Sequence, residues 1–195
     1  MAFFHTPGLK IVYPSTAYDA KGLLKAAIRD DGPVIFEEHK GLYRAPGLRE
    51  VLPNEDYVVP IGRARTAREG EHVTVVTYGL MVHRTLEAAE RLAEEDGISL
   101  DVVDLRTLLP LDDEAIADSV RRTGKLLVVH EDTRTGGIAG EIAMRVNELA
   151  FEWLDAPILR VTALDAPVPY SGVLEDAFLP SVDDIVEASR YLARY

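Results

Sequence analysis

Along the chain, short runs of branched apolar residues alternate with longer stretches in which apolar side chains return every three or four positions. Runs of the first kind read as strands covered on both faces, and stretches of the second kind as amphipathic helices. "LKIVYP" (9–14) predicts a strand. The following "STAYDAKGLLKAAIRDDGP" predicts a helix capped by Ser15 or Thr16, with Leu24, Ala27 and Ile28 on one face, stopped by Asp30, Asp31, Gly32 and Pro33. "VIFEEH" (34–39) returns as a second strand and completes a βαβ unit.

From 40 to about 70 the periodicity fades, and Pro46, Pro53 and Pro60 with several glycines predict an irregular linker carrying a short strand. Beyond a boundary near 60, strands are predicted at 73–79, 99–105, 125–131 and 158–163. Helices are predicted at 81–95, about 112–123, 137–153 and 181–195. Val82, Leu86, Ala89 and Ala93 form one helical stripe, and Ile142, Val146, Leu149 and Trp153 another. Asp112, Asp113 and Glu114 stand where a helix dipole favours acids. Regular alternation with short connections predicts an α/β fold of three layers, a mostly parallel sheet covered on both faces. The loop 163–181 ("ALDAPVPYSGVLEDAFLPS"), proline-rich and partly apolar, reads as a packed crossover or as an interface element.

The 195 residues suffice for a sizeable core. A formal net charge of −12 disfavours nucleic acid and anionic membranes as partners, and suits either solubility or attraction of a basic protein. With no cysteine, disulfides and thiolate chemistry are excluded, in keeping with a reducing compartment. No segment resembles a leader or a membrane span, so a cytoplasmic location is expected.

Chemistry is harder to find. His130, Glu131 and Asp132, followed by Thr135, Gly136 and Gly137, fall at a strand's C-terminal end, the edge where α/β sheets place ligands. "TGGIAG" lacks a full dinucleotide fingerprint, and glycines there also serve a tight turn. The group therefore reads as a strand-to-helix bend. His5, His39, His72 and His83 are scattered without metal-ligand spacing. No serine stands in a nucleophile elbow, and no Walker loop occurs.

Several stretches together resemble one family: "HTPGLKIVYPSTAYDAKGLLKAAIRDDGPVIFEEHKGLYR", "VVTYGLMVH", "DVVDLRTLLPLD", "TGKLLVVHEDTRTGGIAGEIA", "LDAPILRVTALDAPVPY" and "FLPS". They are similar to the β subunit of the thiamine-diphosphate-dependent 2-oxo acid dehydrogenases, the decarboxylating component of the pyruvate and branched-chain complexes. The resemblance implies that residues 1–42 are the C-terminal remnant of a pyrimidine-binding domain. On the same ground 43–68 are a linker and 69–195 a transketolase C-terminal-like domain.

The family's cofactor-activating glutamate lies upstream of the stretch matching Met1, and its magnesium-diphosphate motif is on the α subunit. Thiamine diphosphate and magnesium are accordingly expected only in the full complex, and this chain alone is expected to be inactive, with no catalytic residue of its own. The resemblance assigns Ala27, Asp30 and Gly32 to a potassium site. It assigns Asp155 and the end of Tyr195 to docking of the basic peripheral-subunit-binding domain of the lipoyl acyltransferase core. Partners implied are a dehydrogenase α subunit and a second β subunit, with the helix after residue 137 as a candidate for β–β packing. Assembly and docking are thus the expected role, in an enzyme of branched-chain rather than pyruvate type. The competing readings are a separate-chain half of a split transketolase-like enzyme and a non-catalytic α/β binding module.

Overall fold

A computed structural model describes residues 3–195. Strand β1 (Lys10–Val12), helix α1 (Ala17–Ile28) and strand β2 (Val34–Phe36) form the expected βαβ unit, with β1 and β2 parallel. Thr16 caps α1, its hydroxyl accepting from the Asp19 amide at 3.1 Å. After a 3-10 turn at Lys40–Arg44 come β3 (Arg65–Arg68), β4 (Val73–Thr77), α2 (Leu80–Asp96) and β5 (Leu100–Asp104). β6 (Thr107–Leu109), α3 (Asp113–Thr123), β7 (Leu126–Thr133) and α4 (Ala139–Ala150) follow. The chain ends with β8 (Leu159–Ala163), α5 (Gly172–Phe178) and α6 (Val182–Ala193).

The main sheet has the order β3-β5-β4-β7-β8 and is parallel except for β3. Every residue of β4 and β5 is buried, because helices cover both faces. Val76, Val103 and Val128 face Ile116, Val120, Ile142 and Val146 of α3 and α4. Val75, Val102, Leu127 and Val129, one position away along the pleat, pack with Met81, Leu92, Ile185 and Leu192 of α2 and α6. Three layers result, as the alternation predicts. Among the described residues no helix is long and apolar enough to cross a membrane.

A strand not foreseen from the sequence joins the two parts. β6, one turn past the end of β5, leaves the main sheet and pairs antiparallel with β1 in a second sheet of order β2-β1-β6. Ile11 of β1 consequently shares a core with Val103, Leu105 and Leu108. The short strand expected in the linker is β3, and it pairs with β5.

Three sequence expectations are corrected. On α1 the buried apolar side chain is Leu23, whereas Leu24 and Ile28 of the expected apolar face are 46% and 75% exposed. On α4 the stripe holds for Ile142 and Val146 but not for Leu149, and Trp153 lies in a separate 3-10 turn; both are about half exposed. Helix α5 forms inside the loop 163–181, burying Phe178 while Tyr170 stands fully exposed. Apolar residues three or four apart mark a stripe without telling which stripe meets the core.

Candidate functional site at the junction of the two sheets

Parallel sheets expose ligand-binding groups at the C-terminal ends of their strands, and here two such edges meet. Tyr13 follows β1, Glu37 and His39 follow β2, Tyr78 follows β4, and His130, Glu131 and Asp132 are the last residues but one of β7. The strand continues to Thr133, so these three belong to it rather than to the bend, which begins at Arg134. A register irregularity against β8 between His130 and Thr133 marks the place.

The rings of Tyr13 and Tyr78 lie 5.2 Å apart, and that of Tyr78 stacks on His130 at 6.4 Å. Gly79 makes the first contact possible: at φ +60° it turns the chain into α2, and a Cβ there would stand 2.7 Å from the Tyr13 ring. His39 Nε2 is 3.1 Å from Glu131 Oε1, and its Nδ1 accepts from the Gly41 amide at 3.1 Å. The neutral tautomer therefore carries its proton on Nε2, toward the carboxylate.

Electrostatics sort these groups. The Glu131 carboxylate raises the pKa of His39 above the ordinary histidine value. His130 is fully buried and neither ring nitrogen has a well-aligned partner, so burial lowers its pKa despite the nearby Asp132 carboxylate and backbone. Burial, then Glu131 and Glu37, pushes Tyr13 up to about 12, and burial raises Tyr78 as well. Both phenols are neutral hydrogen-bonding groups at neutral pH.

A buried ionic clasp lies on the α1 side. Asp104, ending β5, accepts from Ser15 Oγ at 2.5 Å and from Arg65 at 3.0 Å. Arg106 donates to Asp19 on α1 at 3.1 Å and to the carbonyls of Arg63 and Ala64. Its φ of +55° is the sole left-handed backbone outside glycine among the described residues, a conformation retained because its guanidinium is tied at three places. Burial raises the pKa of Asp104, partly offset by Ser15 and Arg65. His83 Nε2 donates to the Ser15 carbonyl at 2.7 Å. Sequence reasoning missed this clasp, since nothing in the pattern connects Asp104 and Arg106 with Ser15 or Asp19, about ninety residues earlier.

The residues assigned from resemblance lie elsewhere. Asp30 is held by Lys10 through both carboxylate oxygens, at 2.7 and 2.6 Å, and Oδ1 also accepts from the Gly32 amide at 2.8 Å. The Ala27 carbonyl accepts from the Asp30 amide at 3.4 Å. The carboxylate is thus already neutralised, a poor fit to a potassium ion. Asp155 is exposed and precedes β8, its amide donating to the carbonyl of Gly124 ahead of β7 at 2.8 Å. Tyr195 follows α6, whose Arg190 contacts Asp96 at the end of α2 at 2.5 Å. Asp155 and Tyr195 therefore share the N-terminal edge of the strands, opposite the junction. Two surface concavities, of about 580 and 560 Å³, run along β8 and contain none of the junction residues.

Comparison with known proteins agrees with this architecture. The family described as "Transketolase, C-terminal domain" matches residues 62–185, and "Transketolase, pyrimidine binding domain" matches residues 1–46. The chain is 53% identical to the 2-oxoisovalerate dehydrogenase subunit beta of Bacillus subtilis over 99% of its length and 58% of that protein. It is 51% identical to the acetoin:2,6-dichlorophenolindophenol oxidoreductase subunit beta of Cupriavidus necator, over 96% of this chain and 54% of that one. To the pyruvate dehydrogenase E1 component subunit beta of B. subtilis it is 47% identical, over 97% of this chain and 57% of the relative. It thus spans somewhat more than half the length of these relatives. A solved structure described as "Split gene transketolase, inactive beta4 tetramer" superposes with a TM-score of 0.71 at 27% identity, over 96% of this chain and 58% of the other. With that domain matched over most of the chain and a piece of the pyrimidine-binding domain ahead of it, the chain belongs to the transketolase C-terminal domain family.

Proposed function

We propose that this chain acts as the C-terminal portion of the β subunit of a thiamine-diphosphate-dependent 2-oxo acid dehydrogenase, where it serves subunit assembly and docking to the acyltransferase core. The observation that carries the reading is 53% identity over 99% of the chain to a 2-oxoisovalerate dehydrogenase β subunit. Branched-chain 2-oxo acids are the proposed substrates, with pyruvate-type subunits matching at similar identity, 47% and 50%. The assembled enzyme works in the cytoplasm in this reading.

Thiamine diphosphate and magnesium are the cofactors of the assembly, but the residues here do not fit either group unaided. Among the described residues no three His, Cys, Asp or Glu side chains gather as a metal-ligand set. The junction offers two neutral phenols, a buried histidine and a histidine-glutamate pair, and this is no cradle for a diphosphate. What the chain supplies is a fixed relation between two domains: β6 paired to β1 and the Asp104–Arg65–Asp19–Arg106 clasp hold the pyrimidine-domain piece on the main sheet.

Docking is assigned to the opposite edge. Asp155 and the end of Tyr195 lie there, and the negative charge of Asp155 suits a basic peripheral-subunit-binding domain through attraction that weakens with salt. An α subunit and a second β subunit are the remaining proposed partners. The likeness to a split-gene transketolase favours one alternative, a separate-chain half of a transketolase-like enzyme. Sedimentation of the purified chain with a 2-oxo acid dehydrogenase α subunit separates the two. A stable complex is expected, and failure to associate, with binding to a transketolase half instead, would favour the alternative.

A further inference from the structure

The turn that ends α1 concentrates negative charge. The Asp30 carboxylate follows the last carbonyls of the helix, where Ala27 accepts from the Arg29 and Asp30 amides and the helix end carries partial negative charge. Lys10 of β1, 20 residues earlier, reaches across to it. Its ammonium lies 2.7 and 2.6 Å from the two Asp30 oxygens, bridging them both. Oδ1 further accepts from the Gly32 amide at 2.8 Å, so the carboxylate's strongest acceptor directions are largely engaged. The side chains are 37% and 19% exposed, the carboxylate being the more covered. Lys10 lowers the Asp30 pKa more than any other group, with the Gly32 amide second.

We infer that the Lys10 ammonium is the resident cation of this turn, taking the place that a monovalent metal ion would otherwise occupy on Asp30. The geometry supports this in two ways. A lysine amine is compact and carries one charge, as an alkali ion does, and it arrives tethered, so it loses little freedom on binding compared with an ion taken from solution. A metal ion on the same carboxylate would lie beside the ammonium and be repelled by it. The consequence is mechanical. The turn that hands α1 to β2 is fastened to the first residue of β1, neighbour of β2 in the sheet, by the chain itself, so the βαβ unit stays closed whatever the potassium level. Lys10 and Val34 are register partners in that sheet.

The test compares thermal midpoints of the full chain in potassium chloride and in choline chloride at equal ionic strength. Wild type is expected to melt at the same temperature in both salts. Lys10→Met keeps the apolar stem and deletes the charge; in choline it is expected to melt about 2–4 °C lower. Potassium should then restore part of that loss in the variant. Lys10→Arg, which keeps a cation at the position, is expected to remain insensitive to potassium and guards against a Met variant that fails to fold. Potassium-selective stabilisation of wild type or of Lys10→Arg would overturn the inference. So would a Lys10→Met variant that melts like wild type, or one that is destabilised but unaffected by potassium, since Lys10 would then be an ordinary ion pair.

Discussion

His39 Nε2 and Glu131 Oε1 stand 3.1 Å apart, joining the segment after β2 to the end of β7 and so bridging the two sheets at their C-terminal edges. Glu131 raises the His39 pKa. A histidine whose folded value exceeds its unfolded value of about 6.5 adds stability below that pH and loses it as pH climbs through the raised value. Denaturant midpoints of wild type should therefore decline from pH 6 into the alkaline range by an amount worth less than about 1 kcal/mol. Glu131→Gln should flatten this decline. Arg84 and Glu175 also act on His39, in opposite directions, so an unchanged slope in Glu131→Gln would mean that Glu131 is not the governing partner.

His130, one residue away, has the opposite sign. Burial holds its pKa down, so the unfolded chain takes up the proton first as pH falls through about 6.5, and stability is lost on the acid side. Replacement by phenylalanine removes two orphaned buried nitrogens and should reduce the acid-side loss. Midpoints between pH 5 and 7 would check it, and a variant with the acid slope of wild type would contradict the assignment to His130.

Gly137 is the floor under that ring. An added Cβ would come within 2.6 Å of both His130 Cε1 and the Thr133 carbonyl oxygen. Gly137→Ala is expected to cost about 1–3 kcal/mol, measurable by denaturant unfolding. Gly140, in the first turn of α4, has nothing within reach of a new Cβ, so Gly140→Ala serves as the control and should be neutral or slightly stabilising.

Arg106 tests the clasp. Arg106→Ala leaves the Asp19 carboxylate, 2% exposed, without its closest charged partner, and about 3 kcal/mol of stability should be lost. Arg106→Gly relieves the +55° backbone but loses the same bonds, so it should be destabilised less than Arg106→Ala. Equal stability of Arg106→Ala and wild type would show that the clasp is not what joins the two sheets.

These residues also mark where sequence reasoning reached and where it stopped. The main sheet was legible because β4, β5 and β7 are continuous apolar runs between helices with clear caps, such as Ser181 with Asp184 on α6. β6 was not, because "TLL" is too short for any period and its partner β1 is about a hundred residues earlier. The same distance hid the junction: His39 and Glu131 are 92 residues apart, and neither carries a spacing that names the other. His130 looked like part of a polar bend because its neighbours are charged, yet the strand carries it into the core and leaves Glu131, Asp132 and Thr133 partly exposed.

Asp155 tests docking. It is exposed at the N-terminal edge of β8 beside Gly124, whose φ of +68° and whose approach to the Asp155 carboxylate leave no room for a Cβ. Asp155→Ala should weaken binding of a basic peripheral-subunit-binding domain about fivefold to tenfold at low salt, with a smaller loss at high salt. Isothermal titration at two salt concentrations reads both numbers, and unchanged affinity would remove Asp155 from the docking surface.

The most direct test of the proposed function is reconstitution. The chain is mixed with a cognate α subunit and with the remainder of a pyrimidine-binding domain, and 2-oxo acid decarboxylation is assayed with thiamine diphosphate and magnesium. Activity when all parts are present, absent when this chain is left out, and greater with branched-chain 2-oxo acids than with pyruvate, is the predicted result. Association without turnover of any 2-oxo acid, or turnover that does not depend on this chain, would contradict it.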